Sequence, residues 1–197
     1  VIAGFEGNTS VSYVDGKGVT RYTSNPGPTI INRSGLETAS TGANQAGYLW
    51  AGVAYWANTH DIRPSGLSAY PPEKARPGMR IKTYMIDVNE YGQQTALATH
   101  NRNAFFLAAK YGGFTDVSGT GNPFVGEDGV TTDNSNWQRG NTGEAKNYFL
   151  GNKANEMLQA LDDIFASVVR EAGSIAGAAI STTRLTTNAA VYQGSFD

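Results

Sequence analysis

Oxygen-bearing side chains at alternate positions are the clearest chemical signal in this chain. Asp116, Ser118 and Thr120 stand two residues apart, with Gly119 and Gly121 among them and Glu127 further on. A hard cation such as Ca2+ is wrapped by oxygens at every second residue of a tight loop, with glycine at the sixth position and a bidentate Glu at the twelfth. Counted from Asp116, Gly121 is sixth and Glu127 twelfth, which makes Asp116, Ser118, Thr120 and Glu127 candidate Ca2+ ligands. The pattern departs at the fifth position, a Thr, and Pro123 and Phe124 fall where such a loop supplies ligands at positions seven to nine. The competing reading is a solvated glycine-rich turn.

Catalytic signals are thinner. His60 and His100 are the two histidines, and neither has a partner at the helical spacing a zinc site needs. His60 beside Asp61 has the form of a base and its orienting acid, but a solvated loop histidine is the simpler reading. No G-x-S-x-G elbow and no phosphate-binding P-loop occurs. Asp87, Glu90, Glu127 and Asp128 have the type that paired-carboxylate hydrolysis requires, yet nothing in the sequence brings two of them together. The expectation is a chain that binds and does not catalyse.

Composition supports that expectation. Of 197 residues 40% are hydrophobic, enough for a core, and only 16% are charged, below the usual quarter. Twenty-four glycines and many Thr, Ser and Asn residues describe a neutral, turn-rich surface. A net charge of −2 gives no electrostatic case for nucleic acid or an anionic membrane. The absence of cysteine removes disulfides, thiolate metal sites and Cys nucleophiles together. No apolar run reaches the length of a membrane span. A chain that starts at Val1, without signal peptide or initiator Met, reads as a processed or trimmed product of something longer.

The elements that must carry these residues follow from pattern. Residues 1–33 read as a β-rich arm of strands and turns. Val11–Val14 and Val19–Thr23 flank Asp15-Gly16-Lys17-Gly18, a hairpin signal. Residues 34–44 could open a helix capped by Ser34. From Gln45 to Ala57 nearly every residue is apolar, which predicts a helix buried on most sides, its small residues packed against a sheet. Four prolines between Pro64 and Pro77 predict an irregular loop, and residues 80–88 a strand covered on both faces. Asn103–Tyr111 predicts a short helix stopped by Gly112-Gly113. Residues 112–152 lack periodicity and read as a long Gly/Asn-rich insertion pinned by Phe124 and Trp137. Apolar positions 157, 158, 161, 164, 165, 168 and 169 predict an amphipathic helix, capped by Asn152 or Asn155 and ending near Gly173. Thr182–Phe196 reads as a C-terminal β segment, Val191, Gln193 and Ser195 alternating with Tyr192, Gly194 and Phe196.

Several of these segments resemble one extracellular family. Leu49-Trp50-Ala51-Gly52-Val53-Ala54-Tyr55-Trp56 followed by Asp61-Ile62-Arg63-Pro64 is similar to the "ADVA-x-Y-Y…T-D-L-R-P" stretch of PilY/PilC-type proteins, the tip adhesins and assembly factors of type IV pili. Thr83–Val88 resembles that family's "T-Y-x-I" strand, and Ala108–Asp116 its "A-K-Y-G-G-F-x-D". Asn147-Tyr148-Phe149 with the helix from Met157 to Phe165 resembles "N-Y-F…L…L-x-x-A-F", and Val191–Asp197 resembles "Y-Q-x-x-F-D". The matches run in family order over residues 49–197.

The resemblance implies an α/β fold: the second half of a von Willebrand factor A-like layered domain, helices packed on a mostly parallel sheet, over residues 34–181. The family's D-x-S-x-S strand, Thr-Asp-Gly loop and propeller do not occur in the chain. The D-x-S-x-T at Asp116 follows Gly112-Gly113-Phe114-Thr115, not a buried apolar strand, and counts as accidental. No metal-site residue is therefore carried over from the family. The function implied is a cell-surface adhesion or assembly component of type IV pili, extracellular, with pilin-like subunits or copies of itself as partners. The alternative is a structural subunit of an extracellular filament held together by strand exchange.

Overall fold

A computed structural model describes residues 1–7, 10–24, 47–68, 71–88, 103–151 and 154–180. The chain divides into two units, Val1–Ala160 and Leu161–Asp197. The first is a mixed α/β unit in which helices pack against a small parallel sheet, with an antiparallel hairpin beside them. This is consistent with a partial von Willebrand factor A-like layered fold.

Its elements are α1 (Ile2–Gly7), β1 (Ser12–Val14), β2 (Thr20–Tyr22), α2 (Gly47–Thr59), β3 (Met85–Asp87), α3 (Ala104–Gly113), β4 (Tyr148–Leu150) and the start of α4 (Ala154–Ile180). β1 and β2 pair antiparallel, with Tyr13 opposite Arg21. β3 and β4 pair parallel, with Ile86 opposite Phe149. Parallel strands need a crossover, and α3 lies in theirs, packed on both strands and on α2. α3 starts where Asn103 accepts the Phe105 N–H at 2.8 Å. At its far end a Cβ on Gly112 would lie 2.6 Å from that of Ala54, so glycine lets the two helices touch. No helix among the described residues is long and apolar enough to cross a membrane.

The core is aromatic. Phe5 of α1 sits among Tyr13, Tyr55, Tyr111 and Phe124, ring centroids 5.8 to 6.4 Å away. Beside it the Lys110 amine, fully buried, bonds Glu6 at 2.7 Å, and the Tyr111 hydroxyl donates to the same carboxylate oxygen at 2.8 Å. The amine also lies 4.1 Å from the Trp137 ring centre and 4.9 Å from that of Phe124.

Several sequence expectations are corrected. Ile2–Gly7 is helical, not strand or turn. Two glycines disfavour helix locally, and burial of Phe5 and Glu6 overrides that preference. The strand expected over 80–88 pairs only at Met85–Asp87. Upstream, Ile81 and Thr83 donate instead to Ala57 O at the end of α2 and Gly112 O at the end of α3. The 112–152 stretch contains β4, a 3-10 turn at Asn134–Asn136 and bridges joining Val125 to Thr132 and Gln138 to Ala145. Phe124 and Trp137 are buried in it, as expected of its pins. α4 runs through Gly173 to Ile180, and Asn155 is inside it, not at its cap. The expected helix at 34–44, the cap candidate Asn152, and the β segment at 182–197 lie outside the described residues.

The hairpin turn is set by Asp15, whose buried carboxylate accepts from Lys17 N–H, Val19 N–H and Arg21 Nε, each at 2.9 Å. Gly16 next to it abuts the Thr59 carbonyl, where any Cβ would collide. Burial works against the Asp15 charge. The hydrogen bonds from Val19, Arg21 and Lys17 outweigh it and hold the carboxyl below its ordinary value.

Two predictions follow from these charges. Glu6→Ala removes the carboxylate that Lys110 and Tyr111 share in the core and is expected to cost about 3–5 kcal/mol in urea unfolding, whereas Glu6→Leu with Lys110→Met removes both charges and recovers part of that loss, the Tyr111 hydroxyl still lacking its Glu6 acceptor. Asp15, depressed in the folded state, contributes stability above its unfolded pKa of about 3.9 and loses it as pH falls through the lower folded value. Asp15→Asn is therefore expected to destabilise at neutral pH, with the gap to the wild type closing on acidification in a pH series of unfolding curves.

Candidate binding surface and oxygen-rich loop

The structure brings three of the four candidate Ca2+ ligands together. Gly121 N–H donates to both Asp116 oxygens, at 3.2 and 3.1 Å. The Ser118 hydroxyl lies 2.7 Å from that of Thr120 and 3.3 Å from the Asp116 carboxylate. The Arg80 guanidinium stands 3.7 Å from Asp116 Oδ2. Glu127, the fourth candidate, is exposed in the turn 126–129. As placed, the Asp116 loop answers its oxygens with its own N–H and O–H groups and one cation. Among the described residues no three His, Cys, Asp or Glu side chains gather as a metal site.

The other candidates are held by separate local partners. The His60 ring stacks on Trp56, centroids 5.2 Å apart, and its Nδ1 is 2.9 Å from the Thr59 hydroxyl. Asp61 accepts from Arg63 N–H and Gly78 N–H, at 2.9 and 2.6 Å, and so pins the proline-rich loop. Asp87 is buried and accepts from the Tyr148 hydroxyl at 2.8 Å and from Asn103. Burial first, then that bond to Asp87, pushes the Tyr148 hydroxyl far up and keeps it a donor. Asp128 is exposed and caps its own turn through Val130 and Thr131 N–H. The Thr131 hydroxyl bond, ahead of those two, holds its carboxyl below the ordinary value. Glu90 and His100 lie outside the described residues.

The feature that sequence reasoning missed is the outer face of α2. The helix was expected to be buried on most sides, yet Leu49, Trp50, Val53 and Trp56 are 50–62% exposed. α3 takes only the inner face, Ala51, Ala54, Tyr55 and Asn58, where small residues and Gly112 allow close contact. The outer four recur at i, i+1, i+4 and i+7, one side of a helix that has no charged residue from Gly47 to Thr59. Beside them a groove of about 850 Å3 opens between α2, β1 and the N-terminal residues, walled by Val1, Ile2, Val14, Leu49, Val53 and Trp56. Scattered exposed apolar side chains are ordinary, but a contiguous patch marks an interaction surface. The lack of any charged residue from Gly47 to Thr59 is the signal available in the sequence.

No family model and no solved structure matches the chain. It is 30% identical over 161 residues, 78% of its length, to a type IV pilus biogenesis factor PilY1 homolog of Xylella fastidiosa. The matched region spans about 12% of that relative's length.

Calcium titration followed by thermal melting tests the Asp116 loop. A self-satisfied turn predicts no movement of the midpoint up to millimolar calcium, and a midpoint that rises with calcium would reinstate the cation reading.

Proposed function

We propose that the chain is a cell-surface binding and assembly module of type IV pili, working at or near the pilus tip through contacts with other proteins and without catalysis. The single observation that carries this reading is its similarity to the PilY1 homolog over 78% of the chain. The physical character of the molecule supports it. Few charges, a neutral balance and an uncharged apolar helix face suit a surface that recognises protein partners. Two exposed tryptophans on that face, Trp50 and Trp56, are of the type that dominates binding energy at interfaces.

Cell fractionation tests the proposal. Pili sheared from the surface of the source cells and probed with an antibody to this chain are expected to carry it, and a point change such as Trp50→Asp in the chromosomal gene is expected to lower pilus number or attachment. Antigen confined to the cytosol, with pili normal in the variant, would overturn the reading.

A further inference from the structure

We propose that the outer edge of β1 and the groove beside it take up an added β-strand, supplied by residues 185–196 of a second copy of this chain. The hydrogen-bond register defines the edge. Thr23 N–H donates to Val11 O at 2.8 Å and Asp15 N–H to Val19 O at 2.9 Å, so residues 11, 13 and 15 face β2. Alternation along an antiparallel strand turns the N–H and C=O of Ser12 and Val14 the other way. Among the described residues the hairpin has two strands, and none lies on that side of β1.

The groove borders β1, and Val1, Ile2 and Ala3 also line it. Its wall includes Tyr13 and Val14 of β1 but no residue of β2, and its opposite wall is the exposed face of α2. A strand edge faced by a helix, with an apolar trough between them, is the geometry in which extended peptides are bound. Main-chain bonds to the edge supply affinity and alternate side chains fill the trough. No Asp, Glu, Lys or Arg side chain lines this trough; His60 and the first residue, Val1, are the titratable groups at its wall besides the Tyr13 and Tyr55 hydroxyls, and the rest is apolar or aromatic, which favours a strand without carboxylates or basic side chains.

The chain's own sequence supplies a segment of that character. Leu185-Thr186-Thr187-Asn188-Ala189-Ala190-Val191-Tyr192-Gln193-Gly194-Ser195-Phe196 has no Asp, Glu, Lys, Arg or His, and Val191, Tyr192 and Phe196 are β-formers. An open edge is a template for pairing between molecules. Repeated head to tail, the contact builds an open-ended chain of subunits. The inference rests on the function proposed above only in that both need a protein partner. Its test uses the isolated chain without pili, so either can fail alone.

Sedimentation velocity from micromolar to hundreds of micromolar protein measures the association. The wild type is expected to show concentration-dependent oligomers. Val14→Pro removes the outward N–H of β1 and leaves the bonds at residues 13 and 15, and Val191→Asp with Phe196→Asp charges the tail. Each is expected to weaken association about tenfold or more. Val53→Asp in the trough does the same without touching the hairpin, which guards against a misfolded proline variant. A synthetic peptide of residues 185–197 is expected to dissolve the oligomers and to change Trp50 and Trp56 fluorescence. A wild type that stays monomeric throughout the range, including one whose groove is filled by its own chain, would overturn the proposal. So would oligomers that persist unchanged in the charged-tail variant.

Discussion

A charged amine in an apolar core is the constraint around which the first unit is arranged. Lys110 has no exposed surface to speak of, and a buried ammonium is tolerated only where a counter-charge and further polar contacts stand within reach. Glu6 supplies the charge and the Trp137 and Phe124 faces supply the rest. Three stretches distant in sequence must therefore meet: α1, the end of α3 and the 112–152 segment. Tyr111, next to Lys110, donates to the same Glu6 oxygen and stacks at 6.1 Å on Phe5. The ion pair and the aromatic cluster thus position one another. This explains why six residues with two glycines form an ordered helix at all.

Polar side chains carry load that a larger sheet would otherwise carry. Among the described residues, two strands on each ladder give few main-chain bonds. Asn58 on α2 donates to Phe114 O at 3.0 Å, and Asn147 ahead of β4 donates to Thr83 O at 3.1 Å. Asp87 ties β3 to Tyr148 on β4 and to the cap residue of α3. The Tyr55 and Tyr13 hydroxyls reach Gly121 O and Thr120 O, fastening the oxygen-rich loop to α2 and β1. Burial drives both hydroxyls up, Tyr13 to about 12, so they remain protonated donors across the working pH range. The Asp116 loop is in this sense an anchor point of the core, whatever else it binds.

What the sequence made legible were features fixed by local chemistry. Asp15-Gly16 announced a hairpin because its carboxylate can cap its own turn and its glycine can pass close to another backbone. Asn103 announced the start of α3 because a side-chain acceptor was due there. Of the parallel β3–α3–β4 unit, β3 and α3 were legible in local pattern, whereas β4 fell inside the stretch read as a Gly/Asn-rich insertion. What stayed hidden depended on distant partners. Nothing near Phe5 or Glu6 says that they meet Tyr111 and Lys110, more than a hundred residues away. The twelve-residue count from Asp116 to Glu127 was legible, but whether Arg80 and Gly121 N–H would claim the Asp116 oxygens was not. For α2, an apolar pattern all round has two solutions, a buried helix or a helix whose second face waits for another surface, and periodicity alone does not choose between them.

That choice turns on what is available to cover the helix. Among the described residues, α3 uses up the small-residue side of α2, and the aromatic core closes behind Tyr55. The side with Leu49, Trp50, Val53 and Trp56 is too large and too contiguous to be incidental, since each such residue, a little over half exposed, forgoes roughly 1 kcal/mol or more by staying in water. A protein that retains this cost on a helix without a charged residue of its own to keep the face solvated is poised for association. The groove adds direction to that tendency. Apolar area alone would accept any greasy surface, whereas an adjoining row of outward main-chain groups accepts only an extended backbone in register. The combination of an unspecific driving force with a specific hydrogen-bonding edge is what allows a small, weakly charged domain to be selective in what it holds.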